Sequence, residues 1–256
     1  MIMKFSSGVP RINALGQPIG DPVSGWSPPP LPPRQRLSGH SCVVDPIDPQ
    51  RHATALFDAI STDGENRMWT YLSYGPFDSD EHYAAWLRHV ACGEDPMFFA
   101  IVDRHAARAV GVAAYLRMDR QNGVIEIGHL AFSPLLQRQV AATEAVYLMI
   151  RRTFELGYRR CEWKCDALNS ASRAAAMRFG FVFEGIFRQA MIYKGRNRDT
   201  AWYSIIDRDW PALDVAYQCW LDPANFDEHG HQRMSLSSMT AGEPHRVTDR
   251  GKEPGK

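Results

Sequence analysis

Three apolar runs of strand length follow one another at residues 97–102, 109–118 and Val124–Phe132, and after Pro134 the period becomes that of a helix over residues 139–156. That switch constrains the chain more than any other feature. A turn at residues 119–123 joins the last two runs, so the three read as a meander, and Gly157 stands where the helix needs a left-handed residue to end. Upstream, residues 40–44 read as a first strand, Asp48 or Pro49 opens a helix through Leu56 and Ile60, and Ser79 caps a second helix carrying Tyr83, Trp86, Leu87 and Val90. Downstream come a strand at 159–165, an alanine-rich helix after Asn169 that stops at Gly180, a hairpin of 181–194 and 200–207 around a loop at 195–199, and a closing helix at 210–220. Strands and helices alternate, which predicts an α/β domain on a central sheet.

The ends have another character. Eight of the 17 prolines fall within residues 1–33, where missing backbone donors favour an extended arm. We expect an arm over residues 1–38 that packs Trp26 and Leu31 on the domain, a domain over 39–220, and an extension over 221–256 that is unstructured from about residue 235. Lys plus Arg and Asp plus Glu each number 29, so no net field favours nucleic acid or a membrane as partner. Cys42, Cys92, Cys161, Cys165 and Cys219 are scattered without a CxxC pair and read as reduced core residues. Cys161 and Cys165 share a strand face with Trp163 but lack a histidine pair at ligand spacing, so no metal is expected. No N-terminal apolar stretch has the length of a signal peptide or membrane helix, and the expectation is a cytoplasmic protein.

The junction of most chemical interest runs from the strand Val124–Phe132 through a turn at 133–136 into the helix opening at 137–143. A helix start presents unpaired N–H groups and partial positive charge, which suit a pyrophosphate. Ala141 and Ala142 allow close approach, and Arg138 and the Thr143 hydroxyl offer side-chain contacts.

Here the chain resembles a known family. Gln137-x-x-Val140-x-Ala142 is similar to the CoA-pyrophosphate signature of the GNAT superfamily of acyl-CoA N-acyltransferases, with Val140 in place of the usual central glycine. Asn169-x-x-Ser172 followed by Arg178-Phe179-Gly180-Phe181 resembles the family's next strand exit and helix. Residues 184–188 and 199–210 are similar to the branch that includes the ribosomal-protein N-terminal acetyltransferases, and the whole resemblance spans residues 40–210. It implies a mixed, mostly antiparallel central sheet of about six to seven strands flanked by helices. It also implies acetyl-CoA as co-substrate, held by Leu130, Ala131, Phe132, Gln137, Arg138, Gln139, Val140, Ala141, Ala142, Thr143 and Asn169. The implied reaction is direct attack in a ternary complex by a primary amine, either a protein N-terminus or a small molecule, on a monomer or homodimer.

Such an amine must lose a proton before it attacks. Glu126 is the candidate base: it interrupts an apolar strand, strict alternation puts it on one face with Gly128, Leu130 and Phe132, and the resemblance puts it where histone-acetylating members carry a catalytic glutamate. The alternative is that it pairs with an arginine or reaches solvent. His129 falls on the opposite face by the same alternation. Ser172 is the candidate donor to the leaving thiolate, since Ala176 occupies the position where many members have tyrosine; alternatively Ser172 stabilises its helix. Backbone N–H groups near 130–132 are candidates for the oxyanion. Trp69, Tyr71, Tyr74, Trp202 and Tyr203 are candidate acceptor walls, and Lys194, Arg196 and Arg198 either grip an anion or form a solvated turn. A competing reading, prompted by Val140 and Ala176, is a module that binds acetyl-CoA without turnover.

Overall fold

A computed structural model describes residues 11–91 and 93–241, in two units. The described part of the first is a hairpin of β1 (Arg11–Ile12) and β2 (Pro18–Ile19), whose turn is organised by Asn13 Oδ1 accepting from the backbone of Leu15 and Gln17. The second unit, residues 28–241, holds everything below.

Its elements in order are β3 (Leu37–Ser38), β4 (Cys42–Pro46), α1 (Pro49–Ile60), a 3-10 turn (Arg67–Trp69), α2 (Asp80–Ala91), β5 (Met97–Asp103), β6 (Arg108–Asp119), β7 (Val124–Phe132), α3 (Val140–Glu155), β8 (Arg160–Asp166), α4 (Ser170–Arg178), β9 (Val182–Tyr193), β10 (Arg196–Ile206), α5 (Trp210–Leu221) and α6 (Leu236–Thr240). The eight-stranded sheet has the order β3-β4-β5-β6-β7-β8-β10-β9, and every neighbouring pair is antiparallel except β7 and β8. The expected sheet is therefore present, extended at one edge by the short β3.

Local chemistry explains the boundaries. Asp48 caps α1 by accepting from Gln50 N, with Pro49 at the first helical position, and Gly157 follows α3 at φ 89°. Side chains fill both sides of the sheet: Ile125 and Ile127 lie in one cluster with Val146, Met149 and Ile150 of α3, while Val112 and Ala114 lie in the other with Leu56 of α1 and Leu87 of α2. A buried carboxylate ties α3 to the start of β4: Glu144 accepts from the backbone N–H groups of His40, Ser41 and Cys42 at 2.6, 2.6 and 2.9 Å. Gly39 lies so close to that carboxylate that any Cβ would collide with it.

The domain is longer than its composition suggested. Residues 28–38 belong to it: Pro29 and Pro32 are buried, and the Pro29 and Pro30 carbonyls accept from Arg120 Nε and Tyr158 Oη. Leu31, expected with Trp26 to pack on the domain, is 41% exposed. Past residue 220 the chain stays folded, with Asn225 bonding Trp220 and Met234 and with α6 seating a fully buried Leu236 where structure was not expected; residues 242–256 of the expected tail lie outside the described residues. The hairpin turn is also tighter than the expected five-residue loop. Lys194 and Gly195, at φ 49° and 70°, close it as a two-residue turn, and pairing resumes at Tyr193↔Arg196. Cys92 lies outside the described residues; the other four cysteines are free thiols, and Cys219 is exposed rather than in the core.

Candidate active site

Two departures from regular pairing open the centre of the sheet. The parallel ladder between β7 and β8 contains only Val124↔Arg160, Ile125↔Cys161 and Glu126↔Glu162, after which the strands part. On its other edge β7 is bulged: Gly128 pairs with Ala114 and Ala131 with Val112, so two residues of β7 oppose one of β6, with His129 at φ 51°. Among the described residues, the edge of β7 that faces β8 has no strand partner beyond Glu126, and an opening between the strands begins there.

The bulge also reverses the side-chain phase, which corrects two expectations. Leu130 and Phe132 do not share a face with Glu126; they pack against the α3-side cluster, as Ile127 does. His129 in turn lies against Tyr74 and Phe98, at ring distances of 5.6 and 4.9 Å, on the side of the sheet covered by α1 and α2. Alternation failed because one extra residue shifts a period of two by one step. Burial first, then the charges of Arg117 and Arg198, lower the His129 pKa to about 4.

Glu126 is 3% exposed, and the arginine pairing considered from sequence is present. Arg117 Nη1 lies 2.8 Å from both carboxylate oxygens, and Lys164 Nζ lies 3.0 Å from Oε2. Lys164 also reaches Glu162 at 2.7 Å, and Arg160 joins Glu162 to Glu184. The chain of charges thus crosses β6, β7, β8 and β9, with Lys164 3.8 Å above the Trp202 ring.

The phosphate-side loop is shaped by backbone geometry. Gln137 Nε2 donates to Phe132 O, Arg138 adopts φ 63°, and α3 begins after Gln139 without a capping side chain and without an acid in its first turn. Ala141 and Ala142 are buried in the core, and the Ala142 N–H donates to Gln139 O at 3.2 Å, so neither side chain faces a ligand. The Thr143 hydroxyl, buried, accepts from Arg178 Nη1 at 3.0 Å. Arg178 carries no role in the sequence reading, although it sits within the quoted Arg178–Phe181 segment. Its guanidinium lies over Trp220 and Phe179, burial lowers its pKa from the ordinary arginine value, and among the described residues it has no carboxylate within 4.0 Å. An unpaired, partly desolvated cation beside the uncapped start of α3 adds to the helix's own attraction for an anion.

Across the opening, Asn169 Oδ1 caps α4 by accepting from Ser172 N, and Ser172 Oγ accepts from Trp163 Nε1 at 3.0 Å. Burial raises the Cys165 thiol pKa, and a hydrogen bond from the Ser172 hydroxyl partly offsets that rise. Of the aromatic candidates, Tyr71 reaches over to Leu168 O, Tyr74 stacks on Trp86 and His129, and Trp202 stacks on Phe187 at 4.4 Å. Trp69 and Tyr203 differ from expectation: at 3% and 0% exposed they belong to the two cores, Tyr203 because alternation along β10 turns it opposite to Trp202. Lys194 and Arg196 donate to the carbonyls of Trp69 and Thr70, stapling the hairpin to that loop.

Cavities of about 730 and 240 Å³ lie elsewhere, one lined by Phe187, Arg188, Gln189, Asn197 and Asp199 and the other around Asn122, Arg159 and Arg208. Neither is lined by Glu126 or by residues 130–132. Among the described residues no group of His, Cys, Asp or Glu is placed to hold a metal ion, and no helix is long and apolar enough to cross a membrane.

Comparison with known proteins places the fold. Residues 43–182 match the acetyltransferase (GNAT) domain family. A GCN5-related N-acetyltransferase from Brucella melitensis is 44% identical, with 85% of this chain and 99% of that one covered and a TM-score of 0.84. A GNAT-family acetyltransferase structure from Chromobacterium violaceum is 42% identical, covering 77% and 98% of the two chains with a TM-score of 0.71. The fold also extends to RimL, a ribosomal L7/L12 alpha-N-protein acetyltransferase, at 21% identity, 67% and 94% coverage and a TM-score of 0.58. No curated protein matches the chain.

Proposed function

This chain belongs to the GNAT acetyltransferase family, and on that premise we propose that it transfers an acetyl group from acetyl-CoA directly to a primary amine. The observation that carries the reading is the parting of β7 from β8 immediately after Glu126, because among the described residues it leaves that edge of β7 without a strand partner beside a buried carboxylate. The pyrophosphate lies at the turn 137–139 and the first N–H groups of α3, with Arg138 and Arg178 supplying charge. The thioester carbonyl lies in the opening, where N–H groups from residues 130–132 stabilise the oxyanion.

Arg117 and Lys164 hold the Glu126 carboxylate in place beside the opening. The nitrogen attacks the acetyl carbon, its surplus proton passes to Glu126 directly or through one water, and the carbon–sulfur bond breaks as Ser172 donates towards the departing sulfur. Asn169, whose amide nitrogen has no partner among the described residues, contacts the pantetheine arm. Tyr71, Tyr74 and Trp202 frame the acceptor.

RimL is described as acting on a protein N-terminus, and a small amine is the other acceptor class to be tried. The test is amine-dependent release of CoA thiol from acetyl-CoA by purified protein on a panel of peptides and small amines. Acetyl-CoA binding with no thiol release on any acceptor would instead identify a binding module.

A further inference from the structure

We propose that the acceptor carries a carboxylate or phosphate close to its amine, and that Arg198, at the mouth of the β7/β8 opening, holds that anion. This rests on the transferase reading above and narrows its substrate class.

Arg198 stands apart among the cations of this region. Arg117 and Lys164 are matched by Glu126, Lys164 and Arg160 by Glu162, and Lys194 and Arg196 by backbone carbonyls. Arg198 is half-buried, gives only its Nε to Thr200 Oγ1 at 3.1 Å, and has its guanidinium 6.0 Å from the Tyr193 ring. Among the described residues no carboxylate oxygen lies within 4.0 Å of it. A partly desolvated guanidinium whose terminal donors are uncommitted is costly to maintain unless a ligand completes it.

Its place is that of a substrate contact. Thr200 pairs with Asp166, at the end of β8 where the opening is widest, and the Arg198 side chain meets Thr200 on the face that also carries Trp202 and Lys164. Among the described residues, Trp202 Nε1 and the Tyr74 hydroxyl are buried without a hydrogen-bond partner. The nearby carboxylates are already engaged: Asp95 by the backbone of Arg117 and Met118, Asp166 by Leu168 N and the Tyr193 hydroxyl.

The experiment compares matched acceptors: amino acids against their carboxamides, phosphoethanolamine against ethanolamine, and peptides with acidic against basic second residues. The expected result is kcat/KM about 10-fold or more higher for the anionic partner, carried by KM, with Arg198→Ala abolishing the preference and Arg198→Lys recovering part of it. Equal rates within the pairs, or a preference that survives Arg198→Ala, would overturn the inference while leaving the transferase reading intact. Absence of thiol release with every amine defeats the transferase reading instead. In that case the subsite is read without turnover, by tryptophan fluorescence of the CoA complex titrated with glutarate and with glutaramide. Glutarate binding lost in Arg198→Ala supports the anion site, and equal responses to the two probes reject it.

Discussion

The ammonium of Lys164 stands 3.0 Å from Oε2 of Glu126 and holds Glu162, its neighbour across the parallel ladder, at 2.7 Å. One buried cation thus keeps two carboxylates in register at the point where β7 and β8 separate. Removing it leaves like charges facing each other in a poorly solvated place. Lys164→Met should lower stability by about 3 kcal/mol in urea unfolding, and adding Glu162→Gln should restore part of the loss. A Lys164→Met protein as stable as the wild type would show that the network is not holding this region.

Glu126→Gln keeps the shape of the side chain and removes its capacity to take a proton. We expect kcat to fall by about 100-fold or more while the acetyl-CoA dissociation constant stays near the wild-type value. Unchanged kcat in single-turnover measurements would assign Glu126 to the ion network alone.

Arg178→Ala should weaken acetyl-CoA binding by about 10-fold, and the difference from wild type should shrink as salt is raised, because the interaction is with phosphate charge. Calorimetry at two ionic strengths reads both effects. A loss of affinity that salt does not alter would mean that Arg178 acts by packing on Trp220 and Phe179.

His129 gives stability a pH dependence. Burial, with Arg117 and Arg198 adding to it and Asp95 opposing, lowers its pKa from 6.5 to about 4. Between those values the unfolded chain binds more protons than the folded one, so stability falls as pH drops from about 6.5 towards 4; above that range both states are neutral and His129 contributes no slope. The loss amounts to at most about 3 kcal/mol, and His129→Phe should remove that part of the pH dependence of unfolding. A slope that persists unchanged in the variant would place its origin in the carboxylates.

Much of the scaffold was legible because local signals and tertiary structure agree. Asp48-Pro49, Asn169 and Gly157 mark helix ends by backbone chemistry, and β7 runs over the residues its apolar pattern marks. The bulge was not legible, since His129 takes a positive φ without the glycine that normally signals one, and every side chain after it changed face. Aromatic residues were equally ambiguous: composition cannot separate Trp202, whose ring lies under the Lys164 ammonium, from Tyr203, which fills the core. The pairing of Glu126 with Arg117 and Lys164 depends on register among three strands, information that no single run contains. Arg178 escaped for a related reason, because its approach to Thr143 joins α4 to α3 across 35 positions.

The proposed reaction needs acetyl-CoA to enter between β7 and β8 with its pyrophosphate at the start of α3. The most direct measurement follows backbone amide NMR signals as acetyl-CoA is added to the labelled protein. The largest shifts are expected at residues 130–132 and 137–142, with saturation at one equivalent. Saturable binding that leaves those amides unmoved and shifts others, such as those around Phe187 and Gln189, would contradict it.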